Sequence, residues 1–165
     1  MGGFIESLED KRLFFTVTTG RSGTGYLSYL LNLLKDFKSE HESPPAFHHY
    51  YRDIMEGNYS FERFWTEHKL PYIANIEERH YSDVSHMVCK GFIESLVKMG
   101  IKPYIIFLKR NNHDVAKSLF ELGTIPLRTE VGLRYLTSPL DTSALPIEGN
   151  HDDLSDYQLC YWYTL

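Results

Sequence analysis

Residues 13–18, Leu-Phe-Phe-Thr-Val-Thr, form a short β-prone run that stops at a glycine-rich turn, Thr19 to Gly25. Aromatic and β-branched side chains in a run of this length fit a buried strand. Beyond the turn, Tyr26, Leu27, Tyr29, Leu30, Leu31, Leu33 and Leu34 predict an apolar helix to about Phe37. A second unit of the same kind starts at Pro103. There Tyr104-Ile105-Ile106-Phe107-Leu108 reads as a fully buried strand, Asn111-Asn112 as caps, and His113 to Leu122 as the following helix. Between the two units, Ser85 to Cys89 is a candidate short strand, and residues 92–99 a helix closed by Gly100.

The other stretches are less regular. Residues 38–82 are rich in His, Tyr, Phe and Glu, with a short helical pattern at Phe61, Phe64, Trp65 and His68. Residues 123–150 carry Pro, Thr and Ser and read as a long loop or lid. From Asp152 onward, Leu154, Tyr157, Leu159, Tyr161 and Trp162 predict a helix that stops without a cap. Strands alternating with helices imply an α/β fold with a central, mainly parallel sheet flanked by helices. At 165 residues the chain is expected to form one domain, 1–165.

Composition then narrows function by exclusion. Seventeen basic and 22 acidic residues leave a net charge of −5, and no long basic run occurs. That balance argues against nucleic acid or a membrane surface as partner, so an anionic ligand has to be met by a local site. No stretch approaches the length of a transmembrane helix. Two cysteines, Cys89 and Cys160, are too few for a disulfide framework and lack metal-site spacing, which points to a reducing cytoplasm. Aromatics are in excess at 15%, and the run Phe47, Tyr50, Tyr51, Phe61, Phe64 and Trp65 fits either a core or a cover over a bound acceptor.

The chemistry concentrates in two turns. Gly20-Arg21-Ser22-Gly23-Thr24-Gly25 sits between strand and helix, where backbone N–H groups and the helix dipole favour an anion. It spans both glycines of the phosphate-loop pattern GxxxxGK[ST]. Tyr26 stands where the Lys belongs, however, and Leu27 where the magnesium-binding hydroxyl belongs. Ordinary ATP chemistry is therefore disfavoured, and a mere tight turn is the competing reading. The second turn, Lys109-Arg110-Asn111-Asn112-His113-Asp114-Val115-Ala116-Lys117-Ser118, places Arg110 after a strand and Ser118 about two turns into a helix. Arg supplies a fork for phosphate oxygens and Ser a directional donor; a surface pair between Arg110 and Asp114 is the alternative.

With both motifs in order, the chain resembles the sulfotransferase superfamily, whose members transfer a sulfuryl group from 3′-phosphoadenosine 5′-phosphosulfate (PAPS). Phe14 through Leu34, centred on Arg21-Ser22-Gly23-Thr24, is similar to the first family motif, [KR]-S-G-T-[TS], with Gly25 in place of the usual hydroxyl residue. The segment from Arg110 to Ser118 is similar to the 3′-phosphate motif R-[ND]-x-x-D-V-A-x-S. The resemblance implies a three-layer P-loop-like fold and metal-free, in-line transfer to a hydroxyl or amine, releasing adenosine 3′,5′-bisphosphate (PAP). It assigns Gly20, Arg21, Ser22, Gly23, Thr24, Gly25 and Tyr26 to the 5′-phosphosulfate, with Arg21 neutralising the leaving oxygen, and Arg110 and Ser118 to the 3′-phosphate.

For the base, many cytosolic members carry K-T-H on the strand before the second motif; the matching stretch here is Lys90-Gly91-Phe92, with Phe in place of His. Other branches, including tyrosylprotein sulfotransferases, place a Glu shortly after the first helix, and Glu42 occupies that place. Glu42 is the expected catalytic base, with His41 and His48 as alternates. His41, His48 and His49 lack a metal-ligand spacing. The late R-K-G-x-x-G loop of the family has no match, so the domain is expected to be incomplete at its C-terminus. The acceptor is left open among small molecules, carbohydrates and proteins. A non-catalytic PAP- or PAPS-binding module is the runner-up reading, and an atypical P-loop phosphotransferase the third.

Overall fold

The first strand of the sequence forms as β1, Arg12–Val17, and the computed structural model describes residues 8, 10–141 and 144–165. These fall into two units. The first holds the described residues up to Thr18 together with Gly23–Leu108; the second holds Thr19–Ser22 and Lys109–Leu165.

In the first unit β1 is followed by α1 (Thr24–Leu31), β2 (Phe37–Glu40), a 3₁₀ turn (Phe47–His49) and α2 (Tyr51–Met55). Next come α3 (Phe61–Phe64), a π turn (Trp65–Lys69) and α4 (Leu70–Ala74), then β3 (His80–Asp83), α5 (Phe92–Lys98) and β4 (Tyr104–Phe107). All three strand pairings are parallel and the order is β2-β3-β1-β4. This is the α/β class expected from the alternating elements. Leu13 and Phe15 of β1 and Tyr81 of β3 enter a core with Phe47, Phe64, Trp65, Leu70, Phe92 and Leu96. Burying each such side chain is worth about 1.5–3 kcal/mol. The Trp65 indole N–H donates to the Phe92 carbonyl at 2.8 Å, so the largest core side chain leaves no orphan donor.

Four expectations are corrected here. The helix after the glycine loop ends at Leu31, not near Phe37. Asn32 stops it: its amide donates to the Ser28 carbonyl (3.1 Å) and the Ser39 carbonyl (2.6 Å), and its Oδ1 accepts the Ser39 N–H (2.8 Å). Phe37 then opens β2, a strand the apolar pattern did not show. Nor do the apolar residues of this helix form its buried face. Its buried side chains are Thr24 and Ser28, while Tyr26, Tyr29, Leu33 and Leu34 are exposed. Small hydroxyls let it lie close on β2, with Ser39 Oγ donating to Ser28 Oγ at 3.1 Å.

The third strand is His80–Asp83, whereas Ser85–Cys89 is a turn whose Met87 and Val88 still reach the core. Ser82 and Asp83 are buried polar residues, which is why no apolar run marked this strand. Finally, β4 is not fully buried. It is an edge strand with Tyr104, Ile105 and Phe107 exposed, Phe107 to 78%.

The second unit is helical: α6 (Asn112–Glu121), α7 (Glu130–Tyr135), a 3₁₀ turn (His151–Asp153) and α8 (Asp156–Trp162). Val115, Ala116 and Leu119 of α6 pack with Ile125, Leu136, Leu159 and Cys160. Asn111 caps α6, its side chain accepting the His113 N–H at 2.9 Å. Within the stretch expected to be loop or lid, Thr129 caps α7 by accepting the Gly132 N–H at 3.1 Å. Gly132 has no substitute there, because a Cβ would fall 1.8 Å from the Ile125 carbonyl oxygen. Ser155 and Gln158 form a capping box that starts α8 four residues later than Asp152.

Candidate active site

The glycine loop is built from left-handed residues. Gly20 (φ 76°) and Gly23 (φ 91°) adopt that conformation freely, but Arg21 (φ 50°) holds it at a cost of about 1–3 kcal/mol. Gly23 is the N-cap of α1, no side chain caps the helix, and its first backbone bond runs from the Leu27 N–H to the Gly23 carbonyl. The N–H groups of Thr24, Gly25 and Tyr26 therefore have no acceptor within the helix, which is the condition for anion binding. Ser22 Oγ donates to the Gly20 carbonyl at 2.9 Å, and the Thr24 hydroxyl meets His41 Nε2 at 2.8 Å. The Tyr26 ring is exposed.

In the second unit the structure brings Arg21, Arg110 and Ser118 together. Arg21 Nε donates to Ser118 Oγ at 3.1 Å, and Arg110 Nη1 donates to the Arg21 carbonyl at 3.0 Å. The pairing of Arg110 with Asp114 also exists, at 4.0 Å between half-exposed groups, and contributes little. Ser118 accepts from Arg21, so its own proton is directed to another acceptor. Two guanidinium groups retaining most of their five donors each, with one oriented hydroxyl, are suited to phosphate oxygens.

In the first unit Glu42 is held by both backbone and side chain. At φ 56° it also lies in the left-handed region. Its N–H donates to Asp83 Oδ1 at 3.1 Å, and Asp83 Oδ2 accepts from Lys69 Nζ at 2.6 Å in a fully buried ion pair. Lys69 also donates to the Pro45 carbonyl. Glu42 Oε1 accepts from His86 Nδ1 at 2.9 Å and from Ser85 Oγ at 3.4 Å. Burial pushes the Glu42 carboxyl up, but the His86 hydrogen bond and the charges of His86, His41 and His48 outweigh it and hold the group below its ordinary value. Glu42 is ionised at neutral pH.

His86 is the residue that sequence reasoning missed. Lys90-Gly91-Phe92, the stretch that matches the family's K-T-H, lies beyond the strand. Gly91 (φ 96°) caps α5, and Phe92 is fully buried against Phe47, Phe61 and Phe64. The sheet residue before the turn is Asp83, and three residues on His86 reaches Glu42. Among the alternates, His41 is taken up by Thr24 and is exposed, and His48 packs its ring against His49 at 4.2 Å. Among the described residues no group of three His, Cys, Asp or Glu could hold a metal, and no helix is long and apolar enough to cross a membrane. The aromatic run resolves mainly as core: Phe47, Tyr51, Phe64 and Trp65 are buried.

The glycine turn after β1 lacks the Lys and the hydroxyl of nucleoside-triphosphate loops, with Tyr26 and Leu27 in their places. The sulfotransferase domain family matches residues 11–125, more than two thirds of the chain, and the chain belongs to that family. No curated protein and no solved structure matches significantly.

Proposed function

We propose that this protein is a PAPS-dependent sulfotransferase acting on a hydroxyl or amine acceptor. The observation that carries the reading is the Arg21–Ser118 hydrogen bond: residues 97 positions apart, one from each motif, meet at 3.1 Å beside Arg110. Arg110 and Ser118 take the 3′-phosphate. The N–H groups at the start of α1, with Arg21, take the 5′-phosphosulfate. The acceptor oxygen or nitrogen forms a bond to sulfur as the bridging S–O bond breaks, and the electron pair leaves with PAP, its charge met by Arg21. The acceptor's proton goes to Glu42, which is ionised and holds Oε2 without a hydrogen bond among the described residues.

Transfer of ³⁵S from labelled PAPS in EDTA, across panels of phenols, sugars, amines and tyrosine peptides, tests this. Label on any acceptor supports it. Tight PAP binding with no transfer to any of them supports a binding module instead, and neither binding nor transfer removes the reading.

A further inference from the structure

We propose that His86 is the positioning residue of the base: its Nδ1–H holds Oε1 of Glu42, so that Oε2 is the oxygen that receives the acceptor's proton. This rests on Glu42 being the base. An ionised carboxylate only accepts hydrogen bonds, so the 2.9 Å contact fixes the His86 tautomer with its proton on Nδ1. The groups facing Glu42 are His86, Ser85, His41, His48 and, through the backbone, Asp83. Of these, His86 alone gives the side chain a short, charge-assisted bond. Ser85 reaches the same oxygen only at 3.4 Å, and His41 directs its Nε2 to Thr24. Both side-chain contacts fall on Oε1, so the carboxylate is held by one oxygen and offers the other. The backbone bond to Asp83 sets where the residue sits; His86 sets which way its carboxylate turns. A proton arriving on Oε2 leaves the Nδ1–H bond to Oε1 intact, so His86 stays in place through the step.

The test is a ¹³C NMR titration of the Glu42 carboxyl, assigned with Glu42→Gln, in the wild type, His86→Ala and His86→Asn. An Asn amide places an N–H near the Nδ1 position. Glu42 should titrate about one pH unit higher in His86→Ala, where burial is no longer opposed by a hydrogen bond, and return toward the wild-type value in His86→Asn. In kinetics, His86→Ala should lower kcat roughly 10- to 100-fold and move the acid limb up in pH, with PAP affinity unchanged. An unchanged Glu42 midpoint in folded His86→Ala overturns the proposal. Should that variant fail to fold, His86→Asn against His86→Gln decides: Gln sets its donor at the Nε2 position, so equal midpoints in the two also overturn it. A fully active Glu42→Gln would instead remove the base assignment and leave the titration result standing.

Discussion

Glu42 and Arg21 share a left-handed backbone, φ 56° and 50°, yet their side chains are treated in opposite ways. Glu42 is tied by its N–H to a fully buried ion pair and by its carboxylate to His86 and Ser85. Arg21 is exposed and spends one donor on Ser118, while Arg110 is exposed and braces a carbonyl. The difference fits the roles proposed for the two groups. A carboxylate that removes a proton needs its charge state set before the acceptor arrives, so its bonds are made within the protein. A guanidinium that meets a phosphate needs donors to spare, so most of its bonds are left unmade.

The largest effect belongs on the tied side. Glu42→Gln should cut turnover by about 10²–10⁴-fold while PAP affinity and folding hold, measured by steady-state kinetics beside a PAP isotherm. Normal turnover in that variant would erase the contrast. Next comes the anchor beneath it: Lys69→Ala leaves Asp83 buried and unpaired, and should cost about 3–5 kcal/mol of stability in urea denaturation. On the open side, Arg21→Ala should lower kcat by roughly 10²–10³-fold, more than it lowers nucleotide affinity, because the charge it meets develops in the transition state. An effect on affinity alone would make Arg21 a ground-state ligand. Arg110→Ala should be the mildest, losing about 2–3 kcal/mol of PAP binding with the fold intact.

The two sides were also unequally legible. Arg21, Arg110 and Ser118 stand behind apolar strands and a glycine turn, so residue type and spacing alone brought them forward. The β1–loop–α1 and β4–turn–α6 units were visible for the same reason. β2 and β3 were not, because they carry Ser39, Glu40 and Asp83, polar groups satisfied by partners from other elements, together with the buried Ser82. Tyr81 donates to Glu40 at 2.8 Å, Tyr72 donates to it at 2.5 Å, and Asp83 pairs with Lys69. A period-2 apolar pattern cannot reveal a strand held this way. Misplacing β3 shifted the strand-end motif to Phe92 and hid His86, whose role depends on the true register. In α7 the cap Thr129 and the close-packed Gly132 act through contacts that a loop-like composition conceals.

The proposed function requires the open arginine cluster to be a metal-free site for a nucleotide carrying a 3′-phosphate. Calorimetric titration of the protein with PAP in EDTA, set against MgATP in magnesium buffer, tests it most directly. Arg21 and Arg110 supply positive charge without a metal, while Tyr26 and Leu27 replace the Lys and hydroxyl that MgATP needs. The expected result is PAP binding undiminished by EDTA and tighter than MgATP. MgATP binding more tightly than PAP, or PAP binding only when magnesium is present, would contradict it.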